Sequence, residues 1–292
     1  NDTINTFGGN DTVYGKGGND IINGGNGTDT VSYGGYKSDY SFSLNSLTGA
    51  ITISDNTSNR DGSDQVSKFE SFKFNGQTYS LSDVLNETSF DNVSYLASHT
   101  DLLNAFGSDT TKATKHYISH GQSEGRAADS FDEWSYLASH TDLLNAFGQD
   151  TAAGTRHYVR HGYGESRSVD SFDEWSYLAS HTDLLNAFGS NTAKGTEHYV
   201  RHGYRESRSA DSFDEWSYLA SHSDLLNAFG SNTAKGTEHY VRHGYGESRS
   251  VDSFDAERYL SLHSDLQAAF GNDTDAATIH YVRHGYGEGR AI

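Results

Sequence analysis

The chain has 292 residues, of which 40 are acidic and 21 basic, with no Cys, Met or Pro and a hydrophobic fraction of 34%. Without Cys there is neither a disulfide framework nor a thiolate metal site, and the short apolar runs provide no membrane span and no visible signal peptide. A net charge of -19 argues against nucleic acid or anionic lipid as a partner and in favour of divalent cations or basic partners. Because the chain opens Asn1-Asp2-Thr3 and holds no Met, it is expected to be a segment of a longer protein.

Residues 1–35 repeat with a period of nine. Asp2, Asp11, Asp20 and Asp29 are evenly spaced, and Ile4, Val13, Ile22 and Val31 each follow two positions later. Between them lie the links Gly8-Gly9-Asn10, Gly17-Gly18-Asn19 and Gly24-Gly25-Asn26-Gly27, where positive φ costs little and carbonyls can turn inward. A flexible Gly/Asn/Asp linker would share this composition, but not aspartates and aliphatics locked in phase. Gly24 to Ser32 fits the pattern G-G-x-G-x-D-x-U-x throughout, so the segment resembles the calcium-binding nonapeptide repeats of RTX proteins. The resemblance implies a short parallel β-roll in which every second nonapeptide stacks, placing Asp2 over Asp20 and Asp11 over Asp29. Calcium would then take the oxygens of Asp2, Gly9, Asp11, Gly18, Asp20, Gly25, Gly27 and Asp29. Stacked carboxylates about 4.8 Å apart repel by roughly 3 kcal/mol at an effective dielectric of 20, which a cation would relieve. Phe7 and Lys16 replace the second Gly of two units, which leaves one or two full sites.

Residues 36–88 alternate apolar and polar in Tyr40–Leu44, Ile51–Ile53 and Phe72–Phe74, broken at Thr48-Gly49 and Asn75-Gly76, and predict short strands with turns. This stretch resembles the strand-rich flank that closes RTX rolls in serralysin-type secreted proteases, which implies an antiparallel β cap on the open edge of the roll. The chain has no H-E-x-x-H motif, so the peptidase activity of that family does not carry over.

Residues 89–292 form five units with a step of 41, marked by His99, His140, His181, His222 and His263 and again by His116, His157, His198, His239 and His280. In the second unit the first helix starts either at Asp132 or at Ser130 in an S-x-x-E box with Glu133. It ends at Gly148, and Ser139 and Asp142 mark a step where it can split in two. A last helix starts at Asp150, Asn191 or Asn232 in successive units and runs to Gly162 and its counterparts. Each helix-turn-helix unit is too small to bury its own face, so stacking into an α-solenoid-like array is expected. Trp134, Trp175 and Trp216 are expected at the buried seams, because the end units carry Val93 and Glu257 at that position. The fold class is therefore α+β, a parallel β-roll with an antiparallel cap followed by an all-α array. The pattern Tyr136-Leu137, Asp142-Leu143, His157-Tyr158, Gly162 and Glu165-Ser166-Arg167 is similar to tandem repeats of large bacterial exported proteins.

Two features of the array have a chemical and a structural reading. His157 and His161, like His198 and His202, are four apart on one helix face and make a zinc half-site. Packing is favoured, because a metal needs three or four converging ligands. His140, on the Leu137/Leu144 stripe, reads as a packed core histidine. Glu165 and Arg167 could read a ligand, but an ion pair fixing the turn is favoured. No nucleophile, base and orienter stand at recognisable spacing. The sequence is therefore read as a non-catalytic segment of an exported RTX protein, extracellular or on the bacterial surface and secreted by a type I system. Its expected partners are calcium ions, a surface polysaccharide or surface protein, and further copies of itself, with no nucleic acid. Its rivals are the C-terminal targeting part of an enzyme and a His array binding metal or haem.

Overall fold

The computed structural model describes residues 1–45 and 47–292. They form two compact units, residues 1–133 with 150–169 and residues 134–149 with 170–292.

In the first unit the in-phase aliphatics become strands. β1 (Thr3–Asn5) pairs in parallel with β3 (Ile21–Asn23), and β2 (Thr12–Tyr14) with β4 (Thr30–Tyr33), in registers that join Ile4 to Ile22 and Val13 to Val31. Every second nonapeptide therefore stacks. Five more strands follow: β5 (Tyr40–Leu44), β6 (Ile51–Asp55), β7 (Ser63–Ser67), β8 (Ser71–Phe74) and β9 (Gln77–Ser80). One sheet runs β1-β3-β7-β6-β5 and the other β2-β4-β8-β9.

The flank thus does more than cap. β5, β6 and β9 pair antiparallel as expected, whereas β7 and β8 lie parallel to β3 and β4 and add a third coil to the roll. Val66 stands beside Ile22 and Phe72 beside Val31, so the interior continues through Ile22, Val31, Val66 and Phe72, all buried. The loop returning to β7 is held by Arg60, whose guanidinium grips Asp55 through two bonds of 2.7 Å and reaches Asp39 at 3.0 Å. Arg60 holds the Asp55 carboxyl down at about 2.

The helical units have one plan, seen in the copy at 171–211. Its helices span Glu174–Ala179, Thr182–Phe188 and Thr192–His198, the last continuing as a π-helical turn, Tyr199–Gly203. The Asp173 carboxylate caps the first helix by accepting from Ser176 N at 2.9 Å, which decides for the aspartate cap in this copy, and Asn191 caps the third. The first two helices separate at His181, whose backbone is extended with φ -134, and Gly189 at φ 58 ends the second. Ser176, Tyr177, Leu178 and Ala179 are all buried.

Within each unit, neighbouring copies stack the first helix of one against the third helix of the next. Asn92–Ala97 meets Thr151–His157 in the first unit, and Glu174–Ala179 meets Thr233–His239 in the second. Tyr177 and Leu178 pack inside their own copy, Tyr177 on the Tyr199 ring at 5.1 Å and Leu178 against Gly195. The tryptophans are not buried at the seam between copies as expected: they are half-buried at its rim, because a six-residue helix turns only residues 176–179 inward. The guanidinium of Arg242 lies over the Trp175 ring, 4.7 Å from its centroid, and Arg201 and Arg283 cover Trp134 and Trp216 in the same way.

Candidate metal centre

The Gly-rich links are the turns of the roll, and they stack as directly as the strands. Gly9 N donates to Asn26 O at 2.9 Å and Asn26 N to Phe7 O at 2.8 Å. Gly27 has φ 146, and a Cβ there would stand 1.8 Å from Gly9 O, so only glycine lets the two turns close. Phe7 and Lys16 hold φ 67 and 58 at the position that Gly25 fills with φ 86, so these departures from the motif keep its backbone under strain.

The aspartates form a ladder. One carboxylate oxygen of each accepts the backbone N–H of the Asp one coil earlier: Asp20 from Asp2 at 2.6 Å, and Asp29 from Asp11 at 2.8 Å. The same bond recurs beyond the nonapeptides, where Asp64 accepts from Asp20 N at 2.9 Å and Glu70 from Asp29 N at 2.7 Å. Asp2 is exposed on the first coil, Asp11 is half-buried, and Asp20 and Asp29 are buried. Gly9 and Gly18 hold φ 122 and 138 and Gly25 lies against Phe7, so every residue expected at the site belongs to these stacked turns.

The second oxygens test the fit to a cation. Oδ2 of Asp11, Asp20, Asp29 and Asp64 is buried with no hydrogen-bond partner. Leaving an ionised oxygen so placed is costly. Burial pushes the Asp64 carboxyl up to about 6, aided by the charge of Asp20 and opposed by the Asp20 N–H, and burial also raises the Tyr33 phenol. The donors are all oxygen, the chemistry calcium prefers. Asp11 and Asp29 in one column and Asp20 in the other would hold it, with carbonyl oxygens of the Gly turns. Bound calcium would supply positive charge to these carboxylates, of which Asp20 also has the N-terminal amine of Asn1 at 3.6 Å from Oδ1. Among the described residues no three His, Asp or Glu side chains converge as a metal group, so carbonyls are needed to complete any shell.

Asp64 and Glu70 were missed by the nine-residue count, because the β5–β6 hairpin interrupts the period. The signal is present in Gly62-Ser63-Asp64-Gln65-Val66, which repeats the spacing of Gly27-Thr28-Asp29-Thr30-Val31.

The histidines are engaged in packing. The ring centroids of His157 and His161 stand 5.6 Å apart, and those of His198 and His202 5.5 Å. The Tyr177 hydroxyl is hydrogen-bonded to His198 Nδ1 at 2.9 Å, and burial with nearby Arg208 holds that imidazole below its usual pKa. At the step between the first two helices, His181 Nε2 donates to Ser209 O at 2.9 Å, and His99, His222 and His263 make the same bond. The repeated Glu-x-Arg ends are internal clamps: Arg208 bonds both Glu206 and Asp183 at 2.8 Å, tying the end of the copy to its own second helix.

No curated protein and no solved structure matches the chain. Residues 1–35 match the family model of the RTX calcium-binding nonapeptide repeat, in four copies, and the match covers this part of the chain alone.

Proposed function

We propose that the chain is a non-catalytic part of a large RTX protein, exported by a type I system to the cell surface or medium, and that its helical copies act in adhesion, surface-layer or matrix assembly. Calcium outside the cell closes the roll, coupling its folding to export. The observation that carries the adhesive role is the recurrence of one half-exposed feature, a tryptophan under an arginine, at Trp134/Arg201, Trp175/Arg242 and Trp216/Arg283. Identical surfaces at a fixed step multiply a weak single-site affinity, which suits a repetitive partner such as a surface polysaccharide, a surface protein or a second copy of the array.

The test is copy number. Chains with two, three and five copies, the end copies retained, are compared for retention on surface polysaccharide and on immobilised full-length chain. Retention that grows steeply with copy number supports avidity. Equal retention at every length removes it, and loss of retention on adding a zinc chelator would transfer the role to the His pairs.

A further inference from the structure

The two sheets end on different strands, β5 in one and β9 in the other, and among the described residues neither edge has a further strand. Phe42 on β5 and Gln77 and Tyr79 on β9 line one open hollow of about 620 Å³, a volume typical of small-ligand sites. Its floor is aromatic: the buried Phe74 is in edge contact with Phe42 and Tyr79, at ring-centroid distances of 5.7 and 5.9 Å. Tyr36 stands at the rim and is 66% exposed. Its turn is nevertheless fixed, because Tyr36 N donates to Asp39 Oδ2 at 3.1 Å and Arg60 holds the same carboxylate. The charged groups at the rim cancel: Lys37 Nζ pairs with Glu87 at 2.6 Å and lies over the Tyr79 ring, 5.1 Å from its centroid. The side-chain amides of Asn75 and Gln77, both exposed, make no hydrogen bond within the chain among the described residues. Asn75 and Gly76 hold φ 45 and 82 in the tight turn between β8 and β9, so the Asn75 amide stands on a preset backbone.

We propose that this hollow binds hexose units of a neutral polysaccharide. A sugar ring has an apolar C–H face and a periphery of hydroxyls. The face suits the rings of Tyr36 and Phe42, and the hydroxyls suit amides that both donate and accept, together with the ends of the Lys37–Glu87 pair. An ionic ligand meets both charges of that pair at once and gains little from either. A purely apolar ligand would cover the amides without pairing them. The site lies in the β flank, so it binds as a single site and does not depend on the avidity of the helical copies.

Titration calorimetry of the full chain with cellohexaose, maltohexaose and mannohexaose tests the site, with oligogalacturonate of the same length as the charged comparison. At least one neutral hexaose is expected to bind, and oligogalacturonate to bind more weakly. Tyr36→Ala removes the exposed ring, and Asn75→Gly removes an amide while keeping the positive φ. Each should weaken hexaose binding about tenfold. Trp175→Ala, in the helical array, should leave it unchanged. Binding that falls in Trp175→Ala but not in Tyr36→Ala or Asn75→Gly would assign the sugar to the array and overturn the proposal. It is overturned equally if none of the neutral hexaoses binds the wild type or if oligogalacturonate binds more tightly than they do. The copy-number test of the array stands or falls apart from these results, because a single hexaose is too short to report avidity.

Discussion

The side-chain amide of Gln122 donates to the carbonyl oxygen of Gly49 at 3.1 Å in a buried contact, joining the first helical copy to the β5–β6 hairpin. In the other copies this position is Tyr163, Tyr204, Tyr245 and Tyr286, and Tyr163 and Tyr286 reach back to Thr100 and Ser223 of the preceding copy. The first copy has no preceding copy. Its substitution by Gln fits it to a hairpin, where Gly49 at φ 71 also makes room for the Tyr117 hydroxyl.

Gln122→Ala should therefore destabilise the first unit by about 1–3 kcal/mol, the cost of leaving a buried carbonyl unpaired. The same change at exposed Gln149 should cost under about 0.5 kcal/mol. Urea denaturation of the full chain, followed by hydrogen exchange at Ile51 and Ile53, separates the two. Equal effects would show that the contact does not hold the hairpin.

Trp175→Ala is expected to cost about 1–2 kcal/mol, below the ~3–5 kcal/mol for deleting a fully packed Trp, because the ring is half-buried and its contact with Arg242 is worth about 0.5–1 kcal/mol. Tyr177→Ala, which empties the buried core of its own copy, should cost about 3–5 kcal/mol. Thermal melts that rank Trp175 above Tyr177 would overturn this reading of the two positions.

Much of the roll was legible in the sequence, because a parallel coil repeats in sequence what it repeats in space: Asp11 and Asp29 stack because they are two periods apart. Asp64 escaped the nine-residue count, since the hairpin before it breaks the period, although Gly62-Ser63-Asp64-Gln65-Val66 keeps the local spacing and the pairing of β7 with β3 restores the stack. For the tryptophans, hydropathy suggested burial. Their rim position depends on how short the first helix is and on an arginine supplied by the next copy, and neither can be read from a hydrophobic stripe. The π-helical turn ending each copy likewise left no mark that spacing could reveal.

Ser166, Ser207 and Ser248 occupy the left-handed region at φ 56 to 57, where the end copies carry Gly125 and Gly289. This is the residue that turns the chain out of the last helix, and a side chain there opposes its φ. Ser207→Gly should stabilise the second unit by roughly 0.5–1 kcal/mol, and Ser207→Val should destabilise it. A fall in melting temperature for the glycine variant would mean that the serine side chain contributes more than its backbone costs.

Chelation should open one part of the chain and spare the other. The unpartnered carboxylates are confined to residues 11–64, so limited proteolysis in EGTA is expected to cut within residues 1–74 and to leave residues 170–292 intact. Equal resistance with and without EGTA would remove calcium from the stability of the roll.

The two parts should also respond to pH with opposite sign. In the cation-free roll the Asp64 carboxyl is raised from 3.8 to about 6, so the folded state holds a proton that the unfolded chain releases earlier. The stability this gives is fully present below about pH 4 and is lost as pH rises through about 6. In the helical copies His116, His198, His239 and His280 are held below 6.5 by burial, so their contribution is complete above pH 6.5 and is lost as pH falls through the depressed values. Hydrogen exchange in EGTA between pH 4 and 7, corrected for intrinsic rates, should show Val66, on the same strand as Asp64, losing protection as pH rises while Tyr177 gains it. Calcium should reverse the trend at Val66, because it neutralises the carboxylates in place of the proton, and its binding below pH 6 should release protons to the buffer. The same slope at both positions, or a calcium affinity that does not change across pH 6, would show that the buried carboxylates are not what the cation replaces.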